Sequence, residues 1–178
     1  MTTADSRPIA LIGLMGAGKS AVARELGERL GVSVADLDGM IEAVEGCSVA
    51  ELFERAGEAW FRRREGELLA DALASGVRVV ACGGGVVLDA ERRRLLRERC
   101  RVVWLEVSPD EAARRVSAAG EPGATRPLLA GGPVRERLAG LLAERAPLYA
   151  EAAHVRVDTS GRTPGEVTTQ VLAALAGA

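Results

Sequence analysis

One lysine, Lys19, is the residue of this chain whose type and surroundings most clearly indicate chemistry. Every other member of its 23 Lys+Arg residues is arginine. Lys19 lies in the segment Gly13–Ser20, GLMGAGKS, which fits the pattern G-x-x-x-x-G-K-[ST]. A compact ammonium on a flexible stem reaches between two phosphates inside a tight backbone loop, whereas a planar guanidinium cannot. The segment therefore predicts a nucleotide-phosphate site, in which glycine N–H groups wrap the anion and the Ser20 hydroxyl ligates Mg²⁺.

The elements on either side favour this interpretation over a chance match in a chain with 21 glycines. Pro8–Ile12 is a short apolar run, as expected of a buried parallel strand. Ala21–Leu30 follows with a helical period, and its apolar residues Val22, Leu26 and Leu30 share one face. Strand, glycine loop and helix together form the setting that the motif requires.

Two aspartates, Asp36 and Asp38, end a second predicted strand, Val32–Asp36. Residues i and i+2 share a face of a strand, so both carboxylates can point into one cleft. There they would have separate tasks, one on a Mg²⁺–ATP complex and one on a hydroxylated substrate. The alternative is a solvated, Asp-rich turn that caps the following helix, and the local sequence leaves both interpretations open.

Three glycines, Gly83–Gly85, follow another predicted strand, Val77–Cys82. Adjacent glycines let a backbone approach a ligand closely and present N–H groups to it. The alternative is a flexible turn between a strand and a helix.

Three arginines are candidates for anion recognition. Arg62 follows a Trp–Phe pair, and Arg126 precedes a proline that holds it in an extended backbone. Arg145 lies just before an Ala-Pro step, where a helix should kink or stop. Glu58 and Glu65 lie within a helical turn of Arg62. Each is also free to pair with Arg63 or Arg64.

The remaining pattern predicts one α/β domain over residues 1–178, a length sufficient for a full core. Further strands are predicted at Arg101–Val107 and, as an edge strand, at His154–Asp158. Helical segments alternate with the strands, which indicates a parallel sheet wrapped by helices, with ligands beyond the carboxyl ends of the strands. The Gly/Pro-rich stretch Ala118–Thr125 is either a connector or a mobile lid.

Composition limits the partners. The net charge of −2 exerts no general attraction for nucleic acid or acidic membranes, and the Arg-rich run from Arg92 to Arg99 has no interleaved aromatics. Three cysteines without CxxC spacing, no bilayer-length apolar stretch and no signal-peptide core indicate a reduced, cytoplasmic protein. We expect a monomer without nucleic-acid or membrane partners.

Taken in order, these residues resemble the shikimate kinase family over about Ile9 to Pro164. Each motif alone is modest, but the ordered set is highly specific. The motifs are GLMGAGKS from Gly13, DLDGMIE from Asp36, GEAWFR from Gly57 with Glu65, Gly83–Gly85, RPLL from Arg126, and RAPLY from Arg145. The resemblance implies a P-loop NTPase fold of the nucleoside-monophosphate-kinase type, with a five-stranded parallel sheet flanked by helices. It also implies a substrate-binding helical region at about 36–65 and a lid at about 116–126.

The resemblance further implies an enzyme that transfers the γ-phosphoryl of ATP to the 3-hydroxyl of shikimate in the chorismate pathway, with Mg²⁺. Asp36 would hold the metal through water beside Ser20, and Asp38 would bind the substrate hydroxyls and accept the proton. Arg62 and Arg145 would clamp the substrate carboxylate. The implied nucleotide contacts are Gly16, Ala17, Gly18, Lys19, Ser20 and Ala21, with Arg126 from the lid on the transferred group and Arg115 and Arg162 beside the adenine. The implied lining of the substrate pocket is Phe61, Gly83, Gly84 and Gly85.

Two other classes stay open at this point. Another kinase of the same fold, for gluconate or a nucleoside monophosphate, shares the phosphate loop but need not combine Asp38, Arg62 and Arg145. A non-catalytic nucleotide-binding regulator would be expected to lack a hydroxyl acceptor such as Asp38.

Overall fold

The computed structural model describes residues 6–119, 127–129 and 132–177. Its strands are β1 Ile9–Ile12, β2 Val34–Asp36, β3 Val79–Ala81, β4 Arg101–Glu106 and β5 Val155–Asp158. Its α-helices are α1 Lys19–Leu30, α2 Leu37–Glu45, α3 Val49–Ala74, α4 Ala90–Arg99, α5 Pro109–Ala118, α6 Val134–Ala152 and α7 Pro164–Ala176. Short 3₁₀ turns lie at Val86–Leu88 and Pro127–Leu129.

The five strands form one parallel sheet in the order β2-β3-β1-β4-β5. The predicted fold class is therefore confirmed, and β5 is an edge strand as expected. Strand β1 lies at the centre, where Ala10 is aligned with Val80 on one side and Val102 on the other. From β1 the chain first builds β2 and β3 on one side and then crosses to β4 and β5 on the other, so a crevice opens beyond the carboxyl end of β1.

The core lies on both faces of this sheet. On one face, Leu11 packs with residues of α1, α5 and α7, among them Val22 and Val171. On the other face, Ala10 and Ile12 pack with residues of α3, α4 and α6. Because both faces of β1 are covered, its sequence is a continuous apolar run rather than an alternating one.

Helix α3 contains a break at a glycine. It begins at a capping box, in which the Ser48 side chain accepts from the Glu51 N–H and Glu51 accepts in return from the Ser48 N–H. Gly57 has non-helical angles, φ 80° and ψ 167°, and divides the helix into two segments. This left-handed conformation favours glycine.

Helix α6 differs from the expectation drawn from its proline. Pro147 lies inside the helix, which continues from Val134 to Ala152, so of the two expected outcomes, a kink or a stop, the stop is wrong. Arg145 and Tyr149 are one turn apart, and both are buried on the side that faces the sheet and the glycine triplet Gly83–Gly85. Their burial before and after the proline opposes the cost of the lost backbone hydrogen bond, which is about 3 kcal/mol. Among the described residues, none of the helices has both the length and the apolar character that crossing a bilayer requires.

Candidate active site

A cleft of about 600 Å³ opens beyond the carboxyl ends of β1, β2 and β3. This is the position at which open α/β sheets bind their ligands, and the volume suits small molecules. The predicted site residues that line it are Gly16, Gly18, Lys19, Ser20, Ala21, Asp36, Asp38, Phe61, Arg62, Gly83, Gly84, Gly85, Arg115 and Arg145.

The glycine loop connects β1 to α1 along one wall of the cleft. Gly18 caps α1 in a left-handed conformation, with φ 87°. A Cβ on Gly16, where φ is 82°, would lie 2.9 Å from the carbonyl oxygen of Ala112 in α5. The Lys19 ammonium donates to the carbonyls of Gly13 at 2.9 Å and Leu14 at 3.0 Å. The loop therefore holds its lysine over the N-terminus of α1, where anions are favoured.

Ala17 is placed differently from the other loop residues. Its side chain is buried in the core, and its N–H donates to the Leu14 carbonyl at 3.1 Å. Ala17 is not among the described residues that line the cleft. Its contact with the nucleotide stays a prediction.

The two aspartates reach the cleft by a route other than the predicted one. Asp36 ends β2 and caps α2, where its Oδ1 accepts from the Gly39 N–H at 3.4 Å. Asp38 lies in the first turn of α2, so the argument that the two share a face of a strand is wrong. Both side chains nevertheless line the cleft, and Asp36 combines the capping role with that position.

Asp38 is exposed to the cleft and Asp36 is half-buried, but the protein groups around Asp38 still change its acidity. Desolvation raises the pKa of the Asp38 carboxyl, the Lys19 ammonium lowers it, and the Asp36 carboxylate raises it again. Arg62 also lowers this pKa, so Asp38 lies within electrostatic reach of a cation on each side. A carboxylate with a raised pKa is a stronger proton acceptor than an ordinary aspartate.

The glycine triplet is needed for space. A Cβ on Gly83 would overlap Glu65 Oε1 and lie 3.0 Å from Asp38 Oδ1. A Cβ on Gly85 would lie 2.7 Å from Arg62 Nη1. The backbone therefore approaches three charged side chains closely, which favours the ligand-lining interpretation over that of a flexible turn.

Arg62 is held on several sides. It forms ion pairs with Glu58 at 3.3 Å and with Glu65 at 2.9 Å. Its guanidinium also lies over the rings of Phe53 and Phe61, 5.7 Å and 5.2 Å from their centres. These contacts fix the guanidinium at the wall of the cleft.

The expected competition of Arg64 for the two glutamates is not observed. Arg64 pairs instead with Glu45 at 2.7 Å and Glu67 at 2.9 Å. Glu58 pairs with Arg62, whereas Glu65 is shared between Arg62 and Arg92.

Glu65 and Phe53 were missed as site residues. Glu65 is 0% exposed, and burial raises the pKa of its carboxyl while Arg62 lowers it. Its Oε2 also contacts Arg92 Nη1 at 3.5 Å, and its Oε1 has no hydrogen-bond partner among the described residues. Phe53 lines the cleft and packs on Phe61 at 4.7 Å between ring centres. Phe53 could have been found because it is another of the few aromatics of this chain.

Arg145 reaches the cleft from α6. Its side chain belongs to a residue that is only 3% exposed, and Nη1 donates to the Gly84 carbonyl at 3.2 Å. Two guanidinium groups thus flank the glycine triplet, one from α3 and one from α6.

The three arginines predicted around the nucleotide are placed differently from one another. Arg115 lines the cleft and donates to the carbonyls of Thr159 at 2.6 Å and Gly16 at 3.3 Å. Arg162 pairs with Asp158 at 2.9 Å and is not among the described residues that line the cleft. Arg126 lies outside the described residues, together with residues 120–125 of the predicted lid.

The parallel sheet, the glycine loop with its lysine and the facing carboxylate define a P-loop kinase that acts on a small molecule. The shikimate kinase family model matches residues 15–176. A shikimate kinase from Frankia casuarinae is 50% identical over 94% of this chain and 72% of its own. One from Symbiobacterium thermophilum is 45% identical over 92% and 93%. The chain therefore belongs to the shikimate kinase family, and the resemblance seen in the sequence is confirmed.

Solved structures agree with this assignment. The shikimate kinase from Acinetobacter baumannii in complex with shikimate is 33% identical, with a TM-score of 0.91 over 98% of this chain and 95% of that chain. A gluconokinase from Sinorhizobium meliloti matches with a TM-score of 0.58 at 21% identity, which shows a shared fold alone.

Proposed function

We propose that the protein transfers the γ-phosphoryl group of ATP to the 3-hydroxyl of shikimate. The observation that carries this proposal is the pair Arg62 and Arg145 on either side of the glycine triplet, with Asp38 between that region and Lys19. Such an arrangement suits a substrate that has both a carboxylate and hydroxyl groups, placed beside a phosphate site. The A. baumannii relative was solved with shikimate, which is a molecule of this kind.

On the phosphate side, Lys19 and the N–H groups of the loop hold the phosphates of ATP. The hydroxyl of Ser20 is exposed at the cleft, and the carboxylate of Asp36 faces the same space. Oxygen donors of this kind fit Mg²⁺, with Asp36 acting through water. When bound, Mg²⁺ neutralises charge on the phosphates.

On the substrate side, Arg62 and Arg145 bind the carboxylate, with Phe61, Gly83, Gly84 and Gly85 lining the pocket. Asp38 orients the reacting hydroxyl and accepts its proton at a carboxylate oxygen. Phosphoryl transfer depends mainly on positioning and charge neutralisation, so no covalent intermediate is required.

Around the nucleotide, Arg115 flanks the adenine and Arg126 contacts the transferred group from the lid. A role for Arg162 beside the adenine requires its side chain to leave Asp158. We also propose a monomer in the cytoplasm without nucleic-acid or membrane partners. The net charge of −2 and the free cysteines Cys47, Cys82 and Cys100 support this.

The test is release of ADP from ATP with shikimate, gluconate or AMP as acceptor, followed by phosphorus NMR of the product. We expect turnover with shikimate to exceed that with either other acceptor by at least 10²-fold, because only shikimate combines a carboxylate with correctly placed hydroxyls. The product should carry phosphate on the 3-hydroxyl. Faster turnover of gluconate or AMP would overturn the proposal.

The metal assignment has its own test. Replacing Asp36 by Ala should raise the Mg²⁺ concentration needed for half-maximal rate, while the KM for shikimate stays near that of the wild type. An unchanged Mg²⁺ requirement would remove Asp36 from the metal site.

A further inference from the structure

The carbonyl oxygen of Gly84 accepts hydrogen bonds from two side chains of α6. The Tyr149 hydroxyl donates to it at 2.5 Å, and Arg145 Nη1 donates to it at 3.2 Å. A carbonyl oxygen has two lone pairs and can accept both. The glycine triplet is thus fixed to α6 through a single atom.

The two donors differ in what else they can do. Tyr149 is 0% exposed, packs on Trp104 at 5.6 Å between ring centres, and does not line the cleft. Burial raises the pKa of Tyr149 to about 12, so its hydroxyl keeps its proton and remains a donor. Arg145 lines the cleft, and its Nε has no hydrogen-bond partner among the described residues. Arg145 can turn toward a ligand, whereas Tyr149 cannot.

The peptide between Gly84 and Gly85 lies between the two arginines. Its carbonyl contacts Arg145, and a Cβ on Gly85 would collide with the guanidinium of Arg62. The described residues contain no cis peptide bond, and in a trans peptide the C=O and N–H point in opposite directions. Holding the carbonyl of Gly84 therefore also fixes the direction of the Gly85 N–H.

We propose that Tyr149 is a positioning residue for the carboxylate site: its hydroxyl retains the Gly84 carbonyl so that Arg145 can exchange this carbonyl for a substrate carboxylate. This inference rests on the proposed function, because it requires Arg145 to bind that carboxylate. Without the Tyr149 hydroxyl, Arg145 is the one of these two donors that the Gly84 carbonyl keeps. Moving the guanidinium to the substrate would then leave a half-buried carbonyl without either donor, which opposes binding.

The experiment uses Tyr149→Phe and measures the preference for shikimate over an analogue whose carboxylate is reduced to an alcohol. The preference is the ratio of their dissociation constants. We expect it to fall about fivefold to tenfold, the change that one hydrogen bond of ordinary strength produces. The affinity for ATP should stay within about twofold. Equal weakening of acid and alcohol, or an unchanged ratio, would overturn the inference.

Ser75→Ala is the matched control. The Ser75 hydroxyl also donates to a backbone carbonyl, that of Ala72 at 2.8 Å, but at the end of α3 away from the cleft. Its loss should leave the ratio unchanged. A similar fall in both variants would show that the ratio follows general destabilisation.

A second variant tests whether Tyr149 acts through Arg145. In Arg145→Met the part of the preference for the acid that Arg145 provides is already lost, so adding Tyr149→Phe should not lower the preference further. A further fall would mean that the tyrosine acts on the loop alone. If wild type prefers the acid and Arg145→Met lowers that preference while Tyr149→Phe keeps it, the inference fails and the proposed function stands. If wild type shows no preference, the proposed function fails.

A measurement that keeps the Tyr149 hydroxyl covers the case in which Tyr149→Phe does not fold. Tyr149 is the one tyrosine of the chain, so biosynthetic incorporation of 3-fluorotyrosine labels it alone. Saturating shikimate should shift its fluorine NMR signal, because the Gly84 carbonyl loses its second donor. The alcohol analogue should not shift the signal in wild type, and shikimate should not shift it in Arg145→Met. An unmoved signal with shikimate, or equal shifts with both ligands, would overturn the inference.

Discussion

The two halves of the cleft are built in opposite ways. In the proposed function, the phosphate half is mainly one continuous segment, Gly13–Ser20, joined by Asp36 from the end of β2, and it acts through its backbone and one lysine. The substrate half is assembled from α2, α3, the glycine triplet and α6, from Asp38 to Arg145. Phosphates are recognised by N–H groups that any chain can supply locally, whereas a carboxylate with hydroxyl groups requires particular side chains from distant elements.

The halves also differ in how well their polar groups are satisfied. Lys19 donates to carbonyls of its own loop. In the substrate half, desolvation raises the pKa values of Asp38 and Glu65, and Glu65 Oε1 and Arg145 Nε have no hydrogen-bond partners among the described residues. Arg145 lines the cleft, so we expect a polar ligand to give its guanidinium a partner and to stabilise the fold as it binds.

The sharpest test of the division is Asp38→Asn. We expect kcat to fall by roughly 10²- to 10⁴-fold, because the amide cannot accept the proton of the hydroxyl. The dissociation constant for ATP should change by less than about threefold, because Asp38 belongs to the substrate half. Steady-state assays of ADP release measure kcat, and equilibrium titration with ATP measures the dissociation constant. If Asp38→Asn and Asp36→Ala both lose only Mg²⁺ affinity, the proposed division is wrong.

Lys19→Arg tests the phosphate half. It keeps the charge but places a planar fork where the loop accommodates a compact ammonium. We expect kcat to fall by about 10²-fold or more, with an unchanged melting temperature. Turnover close to that of wild type would mean that the loop does not hold the phosphates.

Arg62→Ala and Arg145→Ala test the carboxylate site. A charge-assisted contact to a carboxylate contributes roughly 1.5–3 kcal/mol, so each variant should raise the KM for shikimate by about 10- to 100-fold. The KM for ATP should hardly change. Arg63→Ala is the matched control, since Arg63 is exposed and adjacent in α3 but does not line the cleft.

The neutral ligand sharpens this test. The alcohol analogue should be poor for wild type and no worse for Arg62→Ala. Equal use of acid and alcohol by wild type would show that the cleft has no carboxylate site.

The smallest expected effect is on stability. Desolvation raises the pKa of Asp38 in the folded state. The Asp38 carboxyl therefore stabilises the fold below the usual aspartate pKa, about pH 4, and this stabilisation is lost as the pH rises through the raised pKa. Ligand-free Asp38→Asn should therefore melt above wild type at pH 7, and the difference should shrink toward pH 4. Thermal melts at both pH values measure this. A difference that grows toward acid pH would contradict the sign.

Local patterns were sufficient for much of this protein. Lys19 in its glycine loop, the capping box at Ser48 and the alternation of strands with helices are interactions between residues close in the chain, so a single sequence shows them. The family resemblance then related the distant motifs to one another.

Tertiary structure decided what depends on packing between elements. Strand β2 ends at Asp36, and α2 begins at the next residue because Leu37 and Ile41 are buried on one side of a helix. Asp38 therefore lies on a helix and not on the strand. Helix α6 continues through Pro147 because its buried residues outweigh a lost backbone bond. The pairing of Glu65 with Arg62, and the contact of Tyr149 with Gly84, join residues whose proximity no local period encodes.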